Sequence, residues 1–316
     1  MERFMAAPAS LTSTFGSVTK SPFYPPFETE VLADAGETSA RREPDGIIKR
    51  IRKHGVSMPQ FLKFPVESRK DWEEIKWRLD PNVEERYEAF RKEAKWLRGR
   101  DHVLRFGVCG AYGHPRNLFG EENLAYIYYD DPKLLHEIME NWVELYIGIT
   151  DHICPLLDFD YVFMWEDKAY KTGPLISPRL VRDFMLPYYK QLIQHLRSRH
   201  GIDIFLLDTD GNPEVLLPIF IEAGINVLIP LEIAAGTEPL PIREKYGEQL
   251  ALMGGIDKRA LTGDKETIKR EVMRKVPAML ESGGYIPGVD HAVPHDVPFE
   301  NYCYLVELLR ELGKNP

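Results

Sequence analysis

Seven carboxylates and a histidine stand directly behind short apolar runs of this chain. Trp165-Glu166-Asp167 follows the run 161–164, and Asp208-Thr209-Asp210-Gly211 follows 204–207. Glu232 comes after 227–229, Gly254-Gly255-Ile256-Asp257 after 250–253, and Asp290-His291 after 285–289. Tyr112 and Arg116 lie behind the run 103–108 and its glycine-rich end, Cys109-Gly110-Ala111-Tyr112-Gly113. Crowded carboxylates repel one another, which raises some pKa values and makes proton donors near neutral pH. A cation or a cationic substrate would relieve the same repulsion. Asp208 and Asp210 are two apart in extended chain, so they share a face and can converge on one ligand. The competing reading is that Asp208, Asp210 and Asp257 cap the helices that follow. His291 either moves a proton or is a hydrogen-bonded structural group. Arg116 offers a two-pronged fork to a substrate carboxylate, with helix capping or a surface pair as the alternative. The candidate catalytic set is therefore Glu166, Asp208, Asp210 and His291. Tyr112, Arg116, Trp165, Asp167, Glu232 and Asp290 are the candidate substrate contacts. His114, His152, His195, His200 and His295 have no comparable setting and read as surface residues.

These residues matter together only if the fold brings the ends of the apolar runs to one place. From residue 100 onward the runs alternate with helical patterns. Asp131-Pro132 and Ser177-Pro178 are cap-plus-proline openings. Leu180, Phe184, Tyr188, Leu192 and Leu196 recur every four residues and so stack on one helix face, which Pro187 is expected to kink. Further helices are expected from Asn212-Pro213, over 239–245, 258–280 and 298–312. Short buried runs separated by helices mean βα units and a parallel sheet. Six such units follow residue 100. No GxGxxG follows the first, and no Walker lysine motif occurs, so neither a Rossmann nor a P-loop reading has an anchor. The pattern favours a (β/α)8 TIM-type barrel, whose chemistry sits at the C-terminal ends of its strands. A charged helix is expected over 80–97. Residues 1–25 read as an irregular lead-in. Residues 27–65 read as a small inserted β-meander, with one strand over 27–32 and another around Ile47, Ile48 and Ile51, after the turn signal Pro44-Asp45-Gly46. Lys49, Arg50, Arg52 and Lys53 are either an anionic-ligand patch or a solvated strand face, and charge runs are usually the latter. No domain linker is visible, so 1–316 reads as one domain.

Composition bounds the rest. The chain has 316 residues, 44% apolar and 28% charged, which is enough for a barrel of about 250 residues. With 49 acidic and 40 basic residues the net charge is −9, which argues against nucleic-acid binding. Cys109, Cys154 and Cys303 are three and far apart, which argues against a disulfide framework, and they form no CxxC, which excludes a zinc ribbon. The start, Met1-Glu2-Arg3-Phe4-Met5, lacks a basic stretch followed by a long apolar run. The greasiest stretch, 216–230, is broken by Glu222, Gly224 and Asn226. A cytoplasmic protein without a membrane segment is the expectation.

Several segments resemble the uroporphyrinogen decarboxylase superfamily. They are Gly173-Pro174-Leu175-Ile176-Ser177-Pro178 with Leu186-Pro187-Tyr188, and Ala251-Leu252-Met253-Gly254-Gly255-Ile256-Asp257. A third is Gly283-Gly284-Tyr285-Ile286-Pro287-Gly288-Val289-Asp290-His291 with Asp296-Val297-Pro298-Phe299-Glu300-Asn301. The resemblance covers about residues 100–312, and its pieces are specific in combination. It implies a (β/α)8 barrel and either of two activities: decarboxylation of a carboxylated tetrapyrrole in porphyrin biosynthesis, or methyl transfer between a corrinoid and a thiol. The departures narrow this. The decarboxylases carry an Arg-Gln-Ala-Gly-Arg-Tyr motif whose arginines bind substrate carboxylates, and residues 1–60 hold nothing like it. Their Phe-Ser-Asp motif with its catalytic aspartate is also absent, and of the decarboxylase residues only the C-terminal histidine carries over, onto His291. The thiol methyltransferases hold zinc with a His-x-Cys pair where this chain has Asp208-Thr209-Asp210. Their further cysteine falls where it has Asp290-His291. A thiolate zinc site is therefore not expected here, and whether any other metal binds is left open. Trp165-Glu166-Asp167 resembles a sub-branch found beside corrinoid-dependent demethylation systems.

The resemblance thus implies methyl transfer between a small methylated donor or folate-like acceptor and a corrinoid carried by a partner protein. Decarboxylation is the alternative. A catalytically inactive binding barrel is a third reading, expected if the strand-end carboxylates are tied to their own neighbours and leave no open pocket. A homodimer is implied by the parent decarboxylase. The run 103–108 corresponds to about the third strand of the family's barrel. The first two strands must come from 1–65 or be absent, so an abbreviated or irregular N-terminal part is expected.

Overall fold

The computed structural model of the protein describes the backbone of 13–14 and all of residues 22–54 and 58–314. Most of the lead-in and the N-terminal start examined for a targeting signal lie outside the described residues. In chain order the elements open with β1 (Ser13–Thr14), β2 (Glu30–Ala35), β3 (Thr38–Arg42), β4 (Ile48–Arg52) and β5 (Gln60–Lys63). Next come α1 (Arg69–Ile75), α2 (Glu88–Leu97), β6 (Leu104–Cys109), α3 (Gly113–Phe119), α4 (Glu121–Asp130) and α5 (Pro132–Ile153). The middle holds β7 (Tyr161–Trp165), the short pair β8 (Ala169–Tyr170) and β9 (Gly173–Pro174), α6 (Pro178–Phe184) and α7 (Leu186–His200). The last part alternates: β10 (Phe205–Asp208), α8 (Leu217–Ala223), β11 (Val227–Ile229), α9 (Pro239–Tyr246), β12 (Ala251–Ile256), α10 (Lys265–Glu281), β13 (Tyr285–Val289) and α11 (Phe299–Lys314).

Seven strands form the main sheet in the order β1-β6-β7-β10-β11-β12-β13, every neighbouring pair parallel. The architecture is a (β/α)8-type barrel. Its strands keep chain order, as a singly wound barrel of βα units does. The six expected units are present. The short β1 adds a seventh strand from the N-terminal region by pairing Ser13 with Leu104. Among the described residues no ladder joins β13 back to β1.

The strand faces divide cleanly. Leu104, Phe106 and Val108 of β6, Val162 and Met164 of β7, and Phe205 and Leu207 of β10 are buried in the core shared with the helices. The alternate residues face the barrel interior. Register then sets the mouth: Cys109, Trp165, Asp208 and Ile229 lie side by side as the last residues of β6, β7, β10 and β11.

The helices pin that end. Asp131 caps α5 by accepting from Leu134 N–H at 3.0 Å. On α5, the Trp142 indole donates to the Cys109 carbonyl at 2.7 Å, and the Tyr146 hydroxyl accepts from Cys109 N–H at 2.9 Å. Ser177 caps α6. The kink expected at Pro187 is a full break at Met185. The chain restarts as α7, so that Pro187 falls in a first turn, where a missing N–H costs nothing.

Three expected helices begin later than the sequence indicates; the one expected from Asn212-Pro213 is a 3₁₀ turn to Leu216 before α8. Asp80 folds a turn by accepting from Asn82 N–H at 2.8 Å, and a single 3₁₀ turn precedes α2. Buried Arg86 holds that turn by donating to the carbonyls of Pro22, Arg78 and Asp80. The helix expected from residue 258 is a 3₁₀ turn to Thr262, after which Asp264 caps α10. The meander is a separate four-stranded antiparallel sheet, β2-β3-β4-β5. It contains two strands, β3 and β5, that lack a sequence signal of their own, and its first strand starts three residues later than expected. Its basic residues pair locally: Lys49 with Asp45 at 3.0 Å, Arg50 with Gln60 at 2.9 Å, and Lys53 with Asp34. Among the described residues no helix is long and apolar enough to cross a membrane.

Candidate active site at the barrel mouth

A cavity of about 370 Å³ opens at the C-terminal ends of the strands. Trp165, Asp167, Asp208, Asp210 and His291 line it, with Thr209, Ile229, Pro230, Val289 and Ala292 completing the wall. Alternation accounts for its main side chains. Trp165 and Asp167, Asp208 and Asp210, and Val289 and His291 are each two apart and share the inward face. Of the residues between these pairs, Glu166 and Asp290 point the other way, whereas Thr209 also reaches the wall.

The acidic cluster expected from sequence therefore splits in two. Glu166, Glu232, Asp257 and Asp290 are turned to backbone amides. Fully buried Glu166 accepts from the N–H groups of Tyr112 at 2.8 Å and Gly113 at 3.0 Å, at the start of α3. It also accepts from the Tyr189 hydroxyl of α7, which in turn accepts from Ala111 N–H at 3.0 Å. Gly110 must be glycine for this approach, because a Cβ there would lie 2.4 Å from the Glu166 carboxyl carbon. Asp290, also fully buried, joins two loops by accepting from Lys258 N–H at 2.9 Å and Ile233 N–H at 3.1 Å. Glu232 accepts from Gly211 N–H at 2.9 Å and so braces the loop that carries Asp210. Gly211 has φ +75°, and a Cβ on it would strike the Ala169 carbonyl oxygen at 2.5 Å. Asp257 caps the turn after β12 and pairs with Arg259.

Asp167, Asp208 and Asp210 face the cavity. The Asp208 carboxyl makes no hydrogen bond or ion pair among the described residues. Burial, then the charges of Asp210 and Asp167, push its pKa up to about 7. Burial also raises Asp210, against the opposing pull of His291. His291 Nε2 lies 3.3 Å from Asp210 Oδ2, and its Nδ1 accepts from Ala292 N–H at 2.7 Å. With Nδ1 committed as an acceptor, a neutral ring carries its proton on Nε2 and donates it toward Asp210.

Arg116 is not aimed at the cavity. It donates to the Asp167 carbonyl at 2.9 Å and its carboxylate at 3.1 Å, and stacks over Trp165 at 4.5 Å. Asp167, at φ +48°, is thereby held in the left-handed region that few non-glycine residues adopt. Tyr112 is buried, with its hydroxyl pKa pushed up to about 12 by burial. The structure thus brings Asp208, Asp210, His291, Asp167 and Trp165 together at the cavity. It places Glu166, Glu232, Asp290, Tyr112 and Arg116 behind it as supports. The donor set does not fit a thiolate zinc centre: no cysteine lines the cavity, and burial pushes the Cys109 thiol up to about 12.

The sequence profile of the uroporphyrinogen decarboxylase (URO-D) family matches residues 51–312. The chain belongs to this family.

The family's members are decarboxylases or methyltransferases. Relatives named uroporphyrinogen decarboxylase include one from Legionella pneumophila (strain Corby). It is 27% identical over 142 residues, which cover 45% of this chain and 39% of the relative. Another, from Coxiella burnetii (strain Dugway 5J108-111), is 23% identical over 267 residues, covering 80% and 70%. The chain spans about two fifths of the length of the first curated relatives it matches. A methyltransferase from Methanosarcina mazei has a similar fold, with TM-score 0.55 and 18% identity, covering 81% of this chain and 73% of that one.

Sequence reasoning missed Lys168 and Tyr189 within this family mouth. Lys168 is fully buried, 3.6 Å from Glu166 and 4.1 Å from the centre of the Phe220 ring, and its ammonium has no hydrogen-bond partner among the described residues. Burial lowers its pKa to about 8 and raises that of Glu166. Its place two residues after Glu166, on the same side of the chain, was the available signal. Tyr189 arrives from another helix and had none. His114, read as a surface residue, is instead buried, and burial alone lowers its pKa to about 4.

Proposed function

We propose that this family member is an acid–base enzyme that moves a methyl group between a small methylated donor or folate-like acceptor and a corrinoid carried by a partner protein. The observation behind the reading is Asp208. It is a carboxyl in an open cavity with its pKa near 7 and no ion-pair partner among the described residues, beside the Asp210–His291 pair. A carboxyl with that pKa is poised to give and take protons at neutral pH.

In demethylation of a donor, the bond between the methyl group and its nitrogen or oxygen breaks. The electron pair stays on the heteroatom, and Asp208 supplies the proton that neutralises it. Asp210, oriented by His291, holds the donor's polar or cationic end, and Trp165 forms an apolar wall. The corrinoid, when present, supplies the nucleophile that takes the methyl group.

Decarboxylation of a carboxylated tetrapyrrole is the second reading, favoured by the names of the curated relatives. Cavity chemistry speaks against it. Three aspartates and neither lysine nor arginine are among the described lining residues, whereas a polycarboxylate needs basic partners. A cavity of about 370 Å³ also lies at the small end of ligand sites. The third reading, a purely binding barrel, required that the carboxylates be tied to neighbours with no open pocket, and Asp208 meets neither condition.

The test is to mix the protein with reduced cobalamin and a panel of methylated amines and methoxy compounds, following cobalt–carbon bond formation by absorbance. The reading expects acceleration with at least one donor, lost on Asp208→Asn. Conversion of uroporphyrinogen with no methyl transfer would replace it with the second reading.

A further inference from the structure

At the opposite end of the barrel two helices finish side by side. The last turns of α5 and α7 lead into β7 and β10, so they lie at the N-terminal ends of the strands. There Asp151 of α5 meets His195 and His200 of α7. His195 Nε2 and His200 Nε2 are each 2.8 Å from the same oxygen, Asp151 Oδ1. The three ligand atoms all lie within 4.8 Å of one another.

We propose that Asp151, His195 and His200 bind a divalent ion of the zinc class at this closed end. Two imidazole nitrogens and one carboxylate oxygen are a donor set for zinc and its neighbours, not for calcium or magnesium, which prefer all-oxygen shells. Zinc sits about 2.0–2.2 Å from such atoms. An ion between the three groups therefore needs only a slight opening of contacts already made. The rings are set in advance: the His200 side chain is 8% exposed and that of His195 25%. The rings meet edge to face at 5.4 Å. A cavity of about 640 Å³ adjoins them, lined by Asp151, Cys154, Asp158, Arg199 and His200. It gives an ion a path in and leaves room for water as a fourth ligand, while the opposite charges of Asp158 and Arg199 offset each other. The ion would tie together the helices whose Trp142, Tyr146 and Tyr189 support the mouth. This inference does not rest on the proposed reaction.

Chelator-treated protein titrated with zinc alone, read by calorimetry, tests it. One equivalent per chain is expected, with affinity falling at least about 100-fold in His195→Gln/His200→Gln. Affinity should be unchanged in Asp210→Asn/His291→Ala, which removes the possible ligands at the mouth. No uptake, uptake untouched by the first pair, or loss of uptake in the second would overturn the proposal. Should the first pair fail to fold, X-ray absorption on the zinc-loaded wild type decides. A shell with two imidazoles supports the site, and a shell without them refutes it.

Discussion

The two ends of the barrel use the same residue types to opposite effect. At the closed end Asp151 has two histidines. Burial works to raise its pKa, but hydrogen bonds from His195 and His200, and their charge, bring it below the usual carboxylate value. At the mouth Asp167 is paired with Arg116 and Asp210 with His291, while Asp208 has no hydrogen-bond or ion-pair partner among the described residues. Burial and the neighbouring carboxylates push Asp208 to about 7, and Asp210 stays raised even with His291 beside it. The difference lies in burial and in which carboxylates have a basic group in hydrogen-bonding contact, not in the aspartate–histidine contact itself. One arrangement is a stable, satisfied cluster. The other is a cavity holding a proton that can be moved.

Breaking the mouth should have the largest effect. Asp208→Asn and Asp210→Asn should each lower kcat by about 10²–10⁴-fold, the usual span for a lost acid or base. The melting temperature near pH 6 should stay close to that of wild type. A large loss of stability would mark them as caps. Next comes the buried set behind the cavity. Glu166→Ala strands the Lys168 charge in the core and should cost about 3–5 kcal/mol, seen as a fall in denaturation midpoint.

A smaller effect sharpens the comparison through pH. Because the pKa of Asp208 is raised on folding, the folded chain keeps a proton that the unfolded chain releases between about pH 4 and 7. Its contribution to stability is complete below the unfolded value and is lost as pH rises through about 7. Asp208→Asn should therefore be more stable than wild type at pH 8, on the order of 1–2 kcal/mol, with the gain vanishing toward pH 4. Asp151 has the opposite sign: its lowered pKa stabilises above the unfolded value, and this is lost as pH falls through the folded one. Asp151→Asn should cost less than about 1 kcal/mol at pH 7, since the group is exposed, and should leave turnover unchanged.

The barrel was legible from its strand–helix alternation, and caps such as Asp131-Pro132 and Ser177-Pro178 opened helices where expected. The mouth was legible in part. The two-residue period that put Asp208 and Asp210 on one face also puts Glu166 and Asp290 on the other. Applied at the ends of β7 and β13, it separates Trp165, Asp167 and His291 from their supports. Arg116, by contrast, is committed to Asp167 through a loop conformation that no local pattern announces. The closed-end cluster was illegible for a related reason. Asp151 and His195 are 44 residues apart, and only the packing of α5 on α7 joins them. Burial is the other hidden variable, since nothing around His114 or Lys168 in the sequence shows that either is enclosed.

The central claim is that the mouth holds a carboxyl that titrates near neutrality. Carbon-13 NMR of aspartate-labelled protein, with Asp208→Asn to assign the signal, measures this without knowledge of the substrate. The account predicts a midpoint for Asp208 near 7 that moves down when Asp210 is replaced by asparagine. A midpoint near 4, unmoved by that replacement, would contradict it.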